Sequence, residues 1–185
     1  MVLQQKLYTV EEFEVYVARP ENRDRHFELI NGEIVEKSMP TQLHGLIAAF
    51  IIIRIGMYLQ LNPIARIGTE VRHRVPGDKH NARQPDVSIY LDTETPPVTV
   101  GDVAHLPDIA IEVKSPNDTY QGQRDKAAYY IANGTHMVWL IFPEKRLVEV
   151  YEPNKDLAIL NEHDTLEGGE LLPGFKLPVA DIFEV

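Results

Sequence analysis

Three side chains near the middle of the chain have the types and the spacing that hydrolysis with a bound metal ion requires. Asp86 lies in QPDVSIY, and Glu112 and Lys114 lie in IAIEVKSPNDT. Side chains two positions apart on a strand point to the same side, so Glu112 and Lys114 should share one face at a strand end. If the strand that follows Asp86 lies beside it, the two carboxylates should be close together.

This combination predicts a specific chemistry. Two neighbouring carboxylates repel each other unless a cation or a proton lies between them. Their oxygens suit Mg²⁺ or Mn²⁺, which usually keep several waters. An ammonium group beside such a water can orient it and can stabilise the negative charge that builds up at phosphorus. These are the parts that hydrolysis of a phosphodiester needs.

The segments around these residues are predicted to be strands. DVSIYL and DIAIEVK are short and apolar on both sides, which is typical of strands at the centre of a sheet. Upstream, FELI and EIVE flank Asn31-Gly32, the strongest local signal for a β-hairpin, and this hairpin places Glu28 on a strand.

Three helices are predicted around the strands. Thr9 and Glu12 form a capping box at the start of a short helix. Between about Thr41 and Leu61, apolar residues recur at helical spacing and almost all round, which predicts a well-buried helix. The stretch YQGQRDKAAYYIANG predicts a helix that Asn133-Gly134 stops.

The other segments are predicted to be strands and turns. IARIGTEVRHRV alternates between polar and apolar residues, as does a strand with one wet face. MVWLIFP and RLVEVYEP predict a second hairpin, and the remainder only short strands and turns. Together these elements predict an α/β fold with a mixed central sheet, flanking helices and hairpins in its N-terminal and C-terminal parts, as a single domain over residues 1–185.

Composition limits the setting in which the chain works. The sequence has no cysteine, which excludes disulfides and thiolate metal sites and suits a reducing compartment. The N-terminus lacks the features of a signal peptide, and the longest apolar run, LIAAFIII, is broken by Arg54 well before the roughly 20 residues of a membrane span. We therefore expect a soluble cytoplasmic protein with no membrane partner.

The charge of the chain bears on nucleic-acid binding. The net charge of -10 is unlike the basic excess of proteins that bind duplexes by neutralising phosphates. One segment is locally basic, with Arg66, Arg72, His73, Arg74, Lys79, His80 and Arg83. This segment fits either a nucleic-acid contact or an ordinary solvated surface.

A wider pattern of motifs surrounds the three residues. Pro85-Asp86 and Glu112-Val113-Lys114 resemble the signature of the PD-(D/E)XK nuclease superfamily. The series FELINGEIV, His44 at the start of a long helix, QPDVSIY, IEVKSPND, Lys126 with Tyr130, VWLIFP and VEVY is similar to the Uma-type family of restriction-endonuclease relatives, abundant in cyanobacteria. The resemblance covers about residues 8 to 152.

The resemblance implies a restriction-endonuclease-like core and a role for individual residues. Asp86 and Glu112 would be ligands of Mg²⁺ or Mn²⁺, together with the backbone carbonyl of Val113. Lys114 would position the attacking water, and Glu28 would be an auxiliary acid.

Three further residues match positions near the site in the family pattern. His44 matches a family histidine for which the sequence gives no role, and Gln123 and Lys126 lie on the helix after the motif. The implied activity is Mg²⁺-dependent hydrolysis of DNA, with a homodimer as one means of forming a larger basic surface.

Several alternatives remain at this stage. Glu112 and Lys114 could be a simple ion pair, Asp86 a turn cap, and Lys126 and Tyr130 ordinary neighbours on a helix surface. Zinc is rejected because the histidines lack ligand spacing, and no phosphate-binding glycine motif is present. A catalytically weak or inactive binding or regulatory module is the competing function, and the C-terminal segment LLPGFKLPVADIF fits either a dimer interface or the core.

Overall fold

A computed structural model describes residues 6–185, which contain three sheets and four α-helices. The helices are α1 (Val10–Val17), α2 (Gln42–Leu61), α3 (Tyr120–Ala132) and α4 (Val179–Ile182). The strands are β1 (Phe27–Ile30), β2 (Glu33–Glu36), β3 (Arg66–Thr69), β4 (His73–Arg74), β5 (Ala82–Arg83), β6 (Val87–Tyr90), β7 (Ile109–Val113), β8 (Met137–Phe142), β9 (Leu147–Tyr151), β10 (Ala158–Asn161), β11 (Thr165–Gly168) and β12 (Leu172–Pro178).

The predicted mixed central sheet is confirmed. Its six strands lie in the order β10-β9-β8-β7-β6-β3, and β7 and β8 are parallel whereas the other neighbours are antiparallel. A core of apolar side chains from α2, the strands and the C-terminal segment covers one face. A second core with α3 covers the other face, so both faces of β7 and β8 are buried and their continuous apolar sequences are explained.

A smaller sheet holds the N-terminal part of the chain. Its strands lie in the order β2-β1-β5-β4, and α1 packs on it through Val10 and Phe13. The predicted hairpin between β1 and β2 is present. Asn31 and Gly32 have φ values of 50° and 83°, the left-handed turn conformation that this residue pair favours.

The long helix α2 begins and ends as predicted, but it is not well buried. Thr41 caps its N-terminus by accepting a hydrogen bond from the backbone N–H of His44 at 3.2 Å. Only His44, Ile47, Ile51 and Ile55 are buried, because the sheet covers a single face of the helix. Among residues 6–185, α2 alone is long and apolar enough to cross a membrane by length and composition.

The expected single strand over residues 64–75 is wrong. The segment forms β3, which pairs with β6 in the large sheet, and β4, which pairs with β5 in the small sheet. Glu70 lies between them with φ of 53°, and this left-handed residue redirects the chain from one sheet to the other. The alternation of apolar residues continues through the bend and therefore hides it.

The C-terminal segment belongs to the core. Leu172, Phe175, Leu177, Val179 and Ile182 are all buried, which decides between the two alternatives of interface and core. The predicted β8–β9 hairpin is present. The expectation of strands and turns alone missed α4, a single helical turn after Pro178.

Candidate active site

The two acids of the predicted motif face each other across β6 and β7. Val87 pairs with Ile111 in the antiparallel register, so the preceding residue, Asp86, lies opposite Glu112. The backbone N–H of Val113 donates to Asp86 Oδ2 at 2.8 Å and holds this carboxylate against the end of β7. The predicted proximity of the two strands is therefore confirmed.

Asp86 collects three cationic or hydrogen-bond partners. His44 Nε2 lies 3.0 Å from Asp86 Oδ2, and Lys37 Nζ lies 3.1 Å from Oδ1. Burial alone would raise the pKa of this carboxyl, but the charge of Lys37 and the hydrogen bonds from His44 and Val113 hold it well below its usual range. Asp86 is therefore an ionised carboxylate at neutral pH.

Glu112 is the acid that burial affects most. It is 2% exposed, and Tyr130 donates to its Oε1 from 2.8 Å while Lys126 Nζ lies 3.5 Å from its Oε2. Burial raises the pKa of Glu112 to about 7, with Asp86 and Glu28 adding to the rise and Lys126 opposing it. Such a carboxyl takes up positive charge readily, as a proton or as a cation.

Glu28 reaches the same place from the small sheet. Its Oε1 accepts the backbone N–H of Gln84 at 3.0 Å, and Lys126 Nζ lies 2.9 Å from its Oε2. The chain from β5 to β6 passes through Gln84 and Asp86, which connects the acid of one sheet to the acid of the other. Glu28 is 2% exposed, so it faces the interior and not the solvent.

Lys114 is not directed at these acids. Its Nζ donates to Glu144 Oε1 at 2.8 Å and to the carbonyl oxygen of Ser115 at 3.1 Å, and it lies 4.9 Å from the centre of the Tyr120 ring. Glu112 and Lys114 lie on the same face of the sheet, as predicted. Their side chains diverge, because Lys114 lies beyond the last residue of β7 and its ammonium group pairs with Glu144, in the turn after β8.

Lys126 takes the position among the carboxylates. It lies between Glu28 and Glu112, one helical turn before Tyr130, so two residues of α3 hold both oxygens of Glu112. The alternative of an ordinary surface pair is wrong, since Tyr130 is fully buried.

Lys37 was not identified in the sequence. Its Nζ donates to Asp86, to Glu70 Oε2 at 3.2 Å and to the carbonyl oxygen of Gln84 at 2.9 Å. The signal was present in the predicted hairpin. Glu28 pairs with Val35, so Lys37, two residues further along, has to lie on the same face of the hairpin as Glu28.

Glu28, Asp86 and Glu112 line a cleft with a volume of about 990 Å³. Its walls include Glu28, Asp86, Glu112, Val113, His44, Gln123 and Lys126, so the structure brings together every predicted site residue except Lys114. Within residues 6–185, three buried polar atoms on this wall have no partner: Oε1 of Gln123, Nδ1 of His44 and Nε of Arg83. Such atoms usually meet a water or a ligand.

The donor set of the cleft fits a hard divalent cation. Three carboxylates and the Val113 carbonyl are oxygen donors, which Mg²⁺ and Mn²⁺ prefer. Within residues 6–185, no three ionisable side chains already surround a common point as ligands of one ion. Lys37 and Lys126 supply the positive charge instead, so an incoming cation would compete with these two ammonium groups.

The basic segment of residues 66–83 does not form one surface. His73 is fully buried, Arg66 donates to backbone carbonyls of Thr93 and Thr95, and Arg72 pairs with Asp102 at 2.6 Å. Arg83 contributes to the cleft wall and lies 4.6 Å from the centre of the Tyr129 ring. Most of these charges therefore have local structural partners.

Comparison with known proteins identifies the family of the chain. The family model Uma2, described as putative restriction endonuclease, matches residues 10–180. The chain is also similar to the crystal structure of a putative nuclease of DUF820 from Anabaena variabilis, with 26% identity, a TM-score of 0.81 and coverage of 95% of this chain and 97% of that one. No curated protein matches the chain. The chain therefore belongs to the Uma2 family of putative restriction endonucleases.

Proposed function

We propose that this chain is a Mg²⁺-dependent or Mn²⁺-dependent endonuclease that hydrolyses phosphodiester bonds of DNA. The observation that carries the proposal is the group of three buried acids on one open cleft: Glu28 on β1, Glu112 on β7 and Asp86 just before β6. A fold rarely buries three acids together without a use for them, because burial of like charges is costly.

Asp86 and Glu112 would hold the metal, with the Val113 carbonyl as a third donor. A bound Mg²⁺ supplies positive charge to phosphate oxygens and lowers the pKa of a coordinated water. In the reaction, a water oxygen would bond to phosphorus and lose a proton while the bond from phosphorus to the 3′ oxygen breaks. The 3′ oxygen would take up a proton and leave as a hydroxyl group, and the other product would carry a 5′-phosphate. Glu28 keeps Lys126 in place through the contact of 2.9 Å.

Lys126 is proposed as the residue that orients the attacking water. Its ammonium group is in the cleft beside Glu112, whereas Lys114 is paired with Glu144 outside the cleft. The role expected for Lys114 is therefore assigned to Lys126, which lies twelve positions further along the chain, on the helix that packs on the strand. His44 would fix the rotamer of Asp86 through the contact of 3.0 Å.

Two observations favour a second candidate, a binding or regulatory module without activity. Lys37 and Lys126 already neutralise much of the charge of the acids, and the chain carries a net charge of -10, which opposes binding to duplex DNA. In that case the cleft would be stable without a metal.

A cleavage assay distinguishes the two candidates. Supercoiled, linear and single-stranded DNA are incubated with Mg²⁺ or Mn²⁺ and with wild-type protein, Asp86→Asn or Glu144→Gln. We expect cleavage with 5′-phosphate ends by wild type and by Glu144→Gln, which changes a carboxylate outside the cleft, and none by Asp86→Asn. Cleavage by Asp86→Asn at the wild-type rate would refute the proposed site, and inactivity of pure, folded wild type on every substrate would favour the module.

A further inference from the structure

The outward face of α2 is an apolar surface whose side chains recur at regular spacing. Leu43, Leu46, Ile53 and Met57 are 46%, 44%, 58% and 57% exposed, and Phe50 between them is half-buried. Their spacing alternates between three and four residues, which is the spacing of side chains that pack against another helix. We call these five residues the α2 ridge.

A groove of small residues runs beside the α2 ridge. Gly45, Ala49 and Gly56 lie on the adjacent side of the helix, at steps of four and seven residues. A Cβ atom added to Gly45 or Gly56 would meet no other atom within 4 Å. A neighbouring backbone could therefore approach α2 closely along this side.

Charge argues against a membrane surface as the occupant. Helices that lie on membranes flank their apolar face with lysine and arginine. The only charged residue of α2 is Arg54, and the whole chain has a net charge of -10, which anionic lipids repel. A partner that is itself apolar and uncharged at this place fits better.

The α2 ridge and the groove are complementary to themselves. In an antiparallel pair of α2 helices with a two-fold axis at the height of Ile51, Leu46 of one copy lies level with Gly56 of the other. In the same register, Ile53 lies level with Ala49, and Met57 with Gly45. Large side chains of the two copies would then alternate along the seam instead of colliding, while the small residues allow the backbones to approach.

We propose that α2 is the interface of a homodimer in which two copies of this chain pack antiparallel through the α2 ridge and its groove. The helix is about 30 Å long at 1.5 Å per residue. A strip of this length covers less than the roughly 800 Å² per partner of a standard interface, so the dissociation constant should be on the order of micromolar.

Sedimentation of the full chain over about 1 to 200 μM tests the association. We expect wild type to shift from monomer to dimer, and Ile53→Asp to stay a monomer at concentrations where wild type is dimeric. Val100→Asp is the control, because Val100 is also exposed, at 88%, but lies in the loop before β7. A monomeric wild type, or a dimer that Ile53→Asp leaves unchanged, overturns the proposal.

Gly56→Leu separates the dimer from a membrane-bound helix. The Cβ of the added side chain meets open space in one copy and leucine favours helices, so the thermal midpoint of the monomer should not fall. In the proposed register this side chain collides with Leu46 of the other copy, so dimerisation should be lost. A membrane-bound helix would behave differently: wild type would sediment together with phosphatidylcholine/phosphatidylglycerol vesicles, and Gly56→Leu would bind them more strongly. This result would identify a membrane surface and overturn the proposal.

Cysteine cross-linking tests the register, since the chain has no cysteine of its own. Ala49→Cys protein mixed with Ile53→Cys protein should form a disulfide-linked dimer under mild oxidation. Leu46→Cys mixed with Ala49→Cys is the mismatched control, because these positions lie about seven residues, or roughly 10 Å, apart in the proposed register. Equal cross-linking of both mixtures would rule out this register.

Discussion

At the scale of single residues, the cleft is organised by the partner of each ammonium group. Lys37 forms an ion pair with Asp86, Lys126 with Glu28 and Glu112, and Lys114 with Glu144. The three lysines are all largely buried, but only Lys37 and Lys126 can affect the charge of the acids directly. The identity of the water-orienting lysine is therefore a question of geometry and can be tested.

We predict that Lys126→Met and Lys114→Met differ in nuclease activity. Loss of the ammonium group in the cleft should lower the rate of DNA cleavage by about 10² or more, because positioned charge at a reacting phosphate contributes at least this much. Lys114→Met should stay within about tenfold of wild type. Circular dichroism of both proteins checks their folding, and the reverse order of rates would return the role to Lys114.

A second prediction concerns His73, which is fully buried between Ser88 and the carbonyl oxygen of His105. Burial lowers its pKa to about 4 from the ordinary value of 6.5. The unfolded chain binds the proton more readily, so neutral His73 supports folding fully above about pH 6.5, and this contribution is lost as the pH falls toward about 4. The loss should be on the order of 3 kcal/mol.

Urea unfolding of wild type and His73→Gln at pH 7.5 and pH 4.5 measures this effect. The free energy of unfolding of wild type should fall by more than that of the variant, which has no titrating ring. Other acids titrate equally in both proteins and cancel in the difference. An equal fall would show that His73 is not the cause.

At the scale of elements, the sequence predicted those parts of the fold that short-range rules determine. The Asn31-Gly32 hairpin, the Thr9 capping box and the helix stop at Asn133-Gly134 are all present, because each depends on the backbone preferences of a few residues. The prediction of one strand over residues 64–75 was wrong because a single left-handed residue, Glu70, divides the segment without disturbing the alternation of apolar residues. The prediction that α2 is well buried was wrong because helical spacing does not show which faces of a helix pack against the rest of the fold.

The N-terminus of α3 provides a prediction at this scale. Thr119 Oγ1 accepts the backbone N–H of Gly122 at 3.0 Å, and the helix that it caps carries Lys126 to the cleft and Tyr130 to Glu112. Thr119→Ala should lower the free energy of unfolding by about 1 kcal/mol, as does the loss of other N-caps. Thr119→Ser keeps the cap and should unfold like wild type, so equal destabilisation of both variants would contradict a capping role.

At the scale of the whole molecule, the candidate site is where the two sheets meet. The motif pattern predicted the acids correctly as neighbours, because Glu112 lies on β7 and Asp86 immediately precedes β6, the adjacent strand of the same sheet. It could not predict where Lys114 points, since that depends on the turn that carries Glu144, nor the role of Lys37, which reaches Asp86 from the other sheet. Contacts between distant segments decide both.

The junction of the sheets also explains why the cleft contains ammonium groups. Without positive charge, Glu28, Asp86 and Glu112 would repel one another in a buried place, and the two sheets would separate. Lys37 and Lys126 therefore stabilise the junction, and a divalent cation would take over part of this role. The affinity of the cleft for a divalent cation therefore shows whether the three acids act as metal ligands.

Isothermal titration calorimetry of Mn²⁺ into the purified protein measures whether the three acids bind a divalent cation. We predict one binding event for wild type, unchanged in Glu144→Gln and weakened by about tenfold or more in Glu112→Gln, which corresponds to about 1.4 kcal/mol. Absence of binding to wild type, or equal affinity of Glu112→Gln and wild type, would contradict the account of the cleft as a metal site.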